Sequence, residues 1–235
     1  MTKRKRVVVL MSGRGSNMEA LMAACGEPDY PAEIVGVVAN RAEAKGLETA
    51  RRAGIATAAV PHRDFADRAA HEAAVSAAIA EFEPDLICLA GYMRILSAGF
   101  VRQWNGRMIN IHPSLLPAFP GLHTHRRAIE TGCRIHGCTV HFVTEVMDEG
   151  PIIAQAAVPV LADDTDDALS QRVLVAEHQL YPLALALVAA GSARVEDGRV
   201  VHEGAVQPQA GVARLVSPPG WREAVDLEKL ARMTP

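Results

Sequence analysis

The chain has 235 residues, 49% hydrophobic and 22% charged, enough to bury one large core or two small ones. A formal net charge of −3 argues against a nucleic-acid surface, and an aromatic content of 4% leaves few side chains for base stacking. The cysteines Cys25, Cys88, Cys133 and Cys138 show no tight pairing pattern and Cys88 lies in an apolar run, so reduced thiols in a cytoplasm are expected.

Basic residues 3–6 precede the apolar run 7–11, but that run is too short for a signal peptide and a polar glycine loop follows it at once. The longest later apolar run, residues 183–190, is too short to span a bilayer, so no membrane contact is expected. Residues 7–11 read as a fully buried strand. Ser12-Gly13-Arg14-Gly15-Ser16-Asn17 follows, and then Met18, Leu21 and Met22 recur at helical spacing. A strand, a glycine turn and a helix start together make an anion seat, because free backbone N–H groups and the positive end of the helix dipole face the loop. The GK[ST] ending of a P-loop is absent and Met18 stands where a dinucleotide fingerprint needs its third glycine, so a single phosphate fits better than a pyrophosphate. The plain alternative is an ordinary helix capped by Ser16 or Asn17.

Further strands are expected at residues 34–39, 55–60 and 86–90. The intervening helices are placed at 42–53, stopped by Gly54, and on a face marked by Phe65, Val75, Ile79 and Phe82 and ended by Pro84. This alternation predicts a doubly wound, mostly parallel sheet with ligands at the carboxyl ends of its strands. Met93-Arg94-Ile95-Leu96 leaves one such end and could line a slot for a flat ring or simply pack on the sheet.

An apolar run from Met108 ends in Asn110-Ile111-His112-Pro113. Strand side chains alternate with period two, so Asn110 and His112 point the same way, and Pro113 should stop the strand at the imidazole. Downstream, Asp148 sits in a glycine-proline turn, where it could serve His112 or only bond its own backbone. His123, His125, His136 and His141 with Cys133 and Cys138 match no closed zinc spacing, and caps, turn contacts and substrate hydrogen bonds explain them more economically than a metal. Residues 141–144 should continue a strand and 152–160 return as another, an antiparallel pair closing the sheet. The acidic run 163–167 opens the last long helix by dipole compensation, with no need of calcium. Leu169, Val173, Ala176, Leu180, Ala184 and Leu187 mark that helix's buried face, Pro182 should bend it, and Glu177 lies one step off the stripe as a solvated flank. A hairpin is expected around Asp197-Gly198, and residues 205–235 read as a proline- and glycine-rich tail after a single domain spanning 1–204.

Residues 110–117, N-I-H-P-S-L-L-P, with F-P-G-L-H-T-H after them and Asp148-Glu149-Gly150-Pro151 later, resemble the folate-dependent formyltransferases over about residues 6–190. The resemblance implies a Rossmann-like formyltransferase fold and transfer of a formyl group from the co-substrate 10-formyltetrahydrofolate to the primary amine of 5'-phosphoribosylglycinamide, a step of purine biosynthesis, without metal. It implies Asn110, His112 and Asp148 as catalytic residues. The phosphorylated substrate is expected on Gly13, Gly15, Ser16, Asn17, Met18, Glu19 and Glu177. The folate is expected on Arg68, Met93, Arg94, Ile95, Leu96, Asn110, His141, Thr144, Glu145, Val146, Met147 and Asp148. Residues 1–105 then form a phosphate-binding half and 106–204 a folate and catalytic half, in a monomer or homodimer whose partners are small molecules. Ala118 departs from the basic or polar residue common in the family at that position. The formyltetrahydrofolate deformylases, where water replaces the amine, and the methionyl-tRNA formyltransferases share the core motif; the first carries an additional amino-terminal regulatory domain and the second a sizeable carboxyl-terminal one, so both fit this chain less well. A nucleotide-dependent dehydrogenase is disfavoured by the failed glycine fingerprint, and a non-catalytic folate-binding module by the complete trio.

Overall fold

A computed structural model describes residues 3–203. The chain runs β1 (Lys5–Met11), α1 (Ser16–Cys25), β2 (Ala32–Ala39), α2 (Lys45–Arg52), β3 (Thr57–Ala59), α3 (Arg68–Ala80), β4 (Leu86–Leu89), α4 (Ala98–Gln103), β5 (Met108–His112), α5 (Thr124–Glu130), β6 (Ile135–Phe142), β7 (Ile152–Pro159), α6 (Asp166–Ala189), β8 (Ala193–Glu196) and β9 (Arg199–His202). The first seven strands form one sheet in the order β3-β2-β1-β4-β5-β6-β7. Pairing is parallel from β3 to β5 and antiparallel for β5 with β6 and β6 with β7, which is the mixed, mostly parallel sheet that the sequence predicts.

Strand β1 shows why the sheet is doubly wound. Val7, Val9 and Met11 join the core under α1, α2, α5 and α6, whereas Val8 and Leu10 join the core under α3 and α4. A strand covered on both faces must be apolar at every position, and the unbroken run 7–11 is that signature. The chain winds outward from β1 to β3 and then returns to place β4 on the other side of β1. The crevice at this reversal lies at the carboxyl ends of β1 and β4, where open α/β sheets bind ligands.

Several boundaries differ from expectation for local reasons. Helix α2 starts only at Lys45 and α3 excludes both Phe65 and Phe82, which pack against the second core from outside the helix. Strand β3 is three residues long, shorter than expected, and pairs with β2 alone at the sheet's edge. The short helices α4 and α5 lie where the sequence offers no periodic stripe; Ser97 caps the first by accepting from Phe100 N–H at 3.2 Å. Strand β6 ends at Phe142 rather than Thr144, since its last residues pair with β5 up to Ile109. Thr165 caps α6 by accepting from Ala168 N–H, and Asp164 meets Arg172 at 2.7 and 2.8 Å, so part of the acidic run is ion-paired rather than merely dipole-compensating. The helix runs on through Pro182. Asp197 and Gly198 both take positive φ in the hairpin joining β8 and β9, the conformation its two-residue turn demands. The expectation for residues 205–235 lies outside the described residues. Among the described residues no helix is long and apolar enough to cross a membrane.

Candidate active site

Helix α1 begins at Ser16 with Gly15 at its N-cap in the left-handed region, φ 84°, and no side chain caps it. Capping by Ser16 or Asn17 is therefore not what the sequence encodes here. The first amide taken up inside the helix is that of Glu19, which donates to Gly15 O at 2.9 Å. The N–H groups of Ser16, Asn17 and Met18 precede it and have no intrahelical acceptor, leaving three donors on the positive end of the dipole. Gly15 is required on two counts: its φ, and a Cβ that would sit 3.2 Å from Gly46 Cα, Met11 Sδ and Met18 Cε. Met18's side chain is fully buried in the core, so Met18 can offer the turn only backbone atoms, and Glu19 is exposed.

The turn borders a cleft of about 300 Å³ lined by residues 12–17 from the end of β1, by Ala90, Gly91 and Met93 from the end of β4, and by Arg41. Ser12 holds the two walls together, since its hydroxyl accepts from Met93 N–H at 2.8 Å and its N–H donates to Gly91 O at 3.2 Å. Asn17 reaches across to α6 and donates through Nδ2 to Glu177 Oε2 at 2.7 Å. Glu177 is buried, contrary to the solvated flank expected of it, and burial raises its pKa while the Asn17 bond pulls it back down. Asn17 Oδ1 is a buried acceptor without a partner.

The second cluster forms where β5 stops. Asn110 pairs with His141 and His112 with Thr139 across the antiparallel ladder. His141 Nδ1 lies 2.9 Å from Phe142 O and can only donate to it, so in the neutral ring Nε2 is an acceptor. Burial pushes the His141 pKa down, against the pull of the Phe142 carbonyl and of Asp148, and keeps that ring neutral. Asn110 Nδ2, 3.2 Å from His141 Nε2, must then donate one proton there and has a second to spare. His112 Nε2 lies 3.0 Å from Phe119 O and donates to it, which leaves Nδ1 facing Asp148 Oδ2 at 3.5 Å. Both side chains are more than nine-tenths buried. Asp148, at φ 60°, bonds no backbone of its own turn; its Oδ2 accepts from Gly121 N–H at 2.7 Å. Gly150 lets this turn close down on β6, because a Cβ there would lie 1.7 Å from Phe142 O.

Around this cluster Met93, Ile95, Leu122, Val146 and Met147 are each more than half exposed. The sequence offered loop packing as the plain role of residues 93–96; in the fold only Leu96 packs against the core, while Met93 and Ile95 stand free. Arg94 is exposed, and Tyr92 beside it has its phenol pushed up to about 12 by burial. Arg68 pairs with Glu72 at 3.4 Å, and Glu72 accepts from Ser97 N–H at the base of the 91–96 turn. Thr144 donates to Val146 O at 3.1 Å and Glu145 pairs with Arg102 at 2.9 Å.

The remaining histidines form a layer behind His112. His136 stacks edge-on against Phe119 and His125, His125 lies 3.9 Å from Asp166, and His123 starts α5 in the left-handed region. Among the described residues no three His, Cys, Asp or Glu side chains gather as metal ligands. The sequence assigned no role to Arg41, the Phe119 carbonyl or the Gly121 amide, and Ser12 entered only as the first residue of the glycine loop. Arg41 alone had a usable signal, a basic residue just past a strand end. A larger cleft of about 500 Å³ lies at the opposite end of the sheet beside Lys5, Asp85, Arg107 and Arg194. Of its cations Lys5 and Arg194 are ion-paired, Arg107 donates to Gln103 O and lies over the Trp104 ring, and none of the expected site residues lines the cleft.

The family model described as formyl transferase matches residues 5–185. The chain is 45% identical over 207 residues to phosphoribosylglycinamide formyltransferase of Escherichia coli K12, covering 88% of this chain and 98% of that protein. It is 50% identical over 199 residues to the trifunctional purine biosynthetic protein adenosine-3 of Bos taurus, covering 84% of this chain but spanning only 20% of the bovine protein. The crystal structure of phosphoribosylglycinamide formyltransferase from Brucella melitensis superposes with a TM-score of 0.77 at 60% identity, over 80% of this chain and 97% of that one. An uncapped helix start at the sheet's switch point, an Asn–His–Asp cluster at the end of β5 and these matches across nearly the whole sheet lead to one conclusion: the chain belongs to the formyl transferase family.

Proposed function

We propose that the chain transfers the formyl group of 10-formyltetrahydrofolate to the primary amine of 5'-phosphoribosylglycinamide in purine biosynthesis. The observation that carries this reading is the placement, at one end of one sheet, of an anion seat, a buried carboxylate and an Asn–His–Asp cluster. The exposed apolar residues Met93, Ile95, Leu122, Val146 and Met147 fit a flat pterin ring beside that cluster. Residues 1–105 supply the phosphate seat and 106–204 the reacting groups, with Glu177 of α6 reaching back to Asn17. The four free cysteines fit a cytoplasmic setting.

Amine attack on the formyl carbon makes a tetrahedral adduct with negative charge on oxygen. The free Nδ2 proton of Asn110 donates to that oxygen, a contact worth most when the charge has developed. His112 is held by Phe119 O through Nε2–H, so a proton entering the pair resides between Nδ1 and Asp148 Oδ2, and the positive ring sits beside the oxyanion. Asp148 takes the proton shed by the attacking nitrogen, directly or through a water, and returns one to the departing folate nitrogen as the adduct's C–N bond breaks. The sum is amine plus formyl-folate giving formylated amide plus tetrahydrofolate, with no covalent enzyme intermediate. Mass analysis of products after mixing protein, formyl-folate and phosphoribosylglycinamide tests this. Formylated amide is expected; free formate without it would make water the acceptor and the chain a deformylase.

A further inference from the structure

The cleft at the switch point carries two guanidinium side chains, Arg14 and Arg41. Among the described residues both are exposed and neither has an ion-pair or hydrogen-bond partner for its side chain, whereas Arg52, Arg102, Arg126, Arg172 and Arg194 each engage a carboxylate. The backbone under Arg41 is pinned. Asn40 donates to Met11 O, its carbonyl accepts from His62 N–H at 3.3 Å, and Arg41 O accepts from Ala44 N–H at 3.3 Å in the turn that starts α2. That start in turn touches the glycine loop, with Gly46 N–H donating to Gly13 O at 3.2 Å. Asn17 lines the same cleft and ties it to α6, its Nδ2 donating to the buried Glu177 carboxylate at 2.7 Å. The cleft therefore sets two free guanidinium groups beside the unbonded N–H groups that start α1, a donor-rich positive surface suited to an anion.

The donors of α1 cannot meet that anion alone. A helix start carries roughly half a positive charge, while a phosphate monoester carries roughly −1.5 to −2 near neutral pH. The chain's own net charge of −3 adds repulsion rather than relief. A planar guanidinium can supply both the missing charge and a two-pronged donor set matched to phosphate oxygens.

We propose that Arg41, assisted by Arg14, grips the phosphate of the amine substrate and makes the site select the phosphorylated amine over its unphosphorylated riboside. This rests on the phosphorylated-amine reading above and adds the residues that enforce it. The test uses Arg41→Ala and Arg41→Lys with three ligands: the phosphorylated amine, the riboside lacking phosphate, and inorganic phosphate as a competitive inhibitor. In Arg41→Ala the KM of the phosphorylated amine and the Ki of phosphate should both rise about tenfold or more, the usual loss for a hydrogen bond to a charged group. The KM values for riboside and formyl-folate should stay put and kcat should change far less than KM. Arg41→Lys should recover part of the loss, keeping the charge and losing the fork. If phosphate competes against wild type and its Ki is the same in Arg41→Ala, Arg41 is a solvated surface charge and the phosphorylated-amine reading survives without it. If phosphate fails to compete against wild type, the seat itself is misplaced and both readings fall.

Discussion

At the scale of single residues, His112 and Asp148, the pair proposed to carry the proton, face each other at 3.5 Å while each is fixed from behind, by Phe119 O and Gly121 N–H respectively. Two groups on one proton path should lose function together. Asp148→Asn and His112→Asn are each expected to lower kcat by orders of magnitude, with the double variant little worse than the poorer single. Steady-state kinetics on the four proteins decides; losses that multiply would return Asp148 to a loop-fastening role. Glu177 makes a different prediction. Its raised pKa means the folded chain holds that proton more tightly than the unfolded chain. Stability therefore falls as pH rises from the unfolded pKa through the folded one and stays lower above it. Glu177→Gln removes this cost, so at neutral pH its Tm should exceed the wild type's. Calorimetry should find phosphoribosylglycinamide binding weakened and formyl-folate binding intact. A lower Tm would mean that the Asn17 bond outweighs burial.

At the scale of elements, the site depends on how α6 is docked. Tyr181, one turn beyond Glu177, is fully buried and places its hydroxyl 3.0 Å from Leu89 O, the last residue of β4, and 3.2 Å from Ile109 O, near the start of β5. Tyr181→Phe removes the donor shared by two buried carbonyls and should cost about 1–3 kcal/mol in urea unfolding. An unchanged midpoint would show that those carbonyls are satisfied without it. Gly15→Val tests the turn before α1. It asks a β-branched residue to adopt φ 84° and crowds three neighbours at 3.2 Å, so the KM of the phosphorylated substrate should rise far more than that of formyl-folate. Equal rises would mean a general loss of structure. The glycine turn was legible in the sequence because positive φ has a residue signature. Helices α4 and α5 were not, because their few buried residues, such as Phe100 and Val101 or Thr124 and Ala128, are too few to make a periodic stripe.

At the scale of the whole molecule, the histidine layer behind the site links chemistry to stability. Burial, reinforced by His125, lowers the His136 pKa from 6.5 to about 4, and burial also lowers those of His125, His141 and His178. A histidine whose folded pKa is depressed binds its proton more readily when unfolded, so its stabilising contribution is lost as pH falls. For His136 the loss should run from about pH 6.5 down to about 4 and level off below. Thermal unfolding across that range should show Tm declining, with a shallower decline in His136→Gln. Parallel curves for the two proteins would show that His136 is not what titrates.

The sequence by itself determined whatever depends on a local backbone rule. Period-two alternation put Asn110 and His112 on one side of β5, and an unbroken apolar run marked β1 as covered on both faces. The Asp197-Gly198 turn followed from positive φ, and the family resemblance added Asp148 and Glu177 as residues to watch. Tertiary structure alone decided what those residues touch. Asn17 meets Glu177 across 160 positions of sequence, Asp148 fastens to Gly121 instead of its own turn, and Arg41 shares a cleft with the glycine loop only because β2 lies beside β1. No local pattern encodes such pairs, because burial and partner choice are set by which helix covers which strand, a property of the packed sheet and not of any window of residues within it.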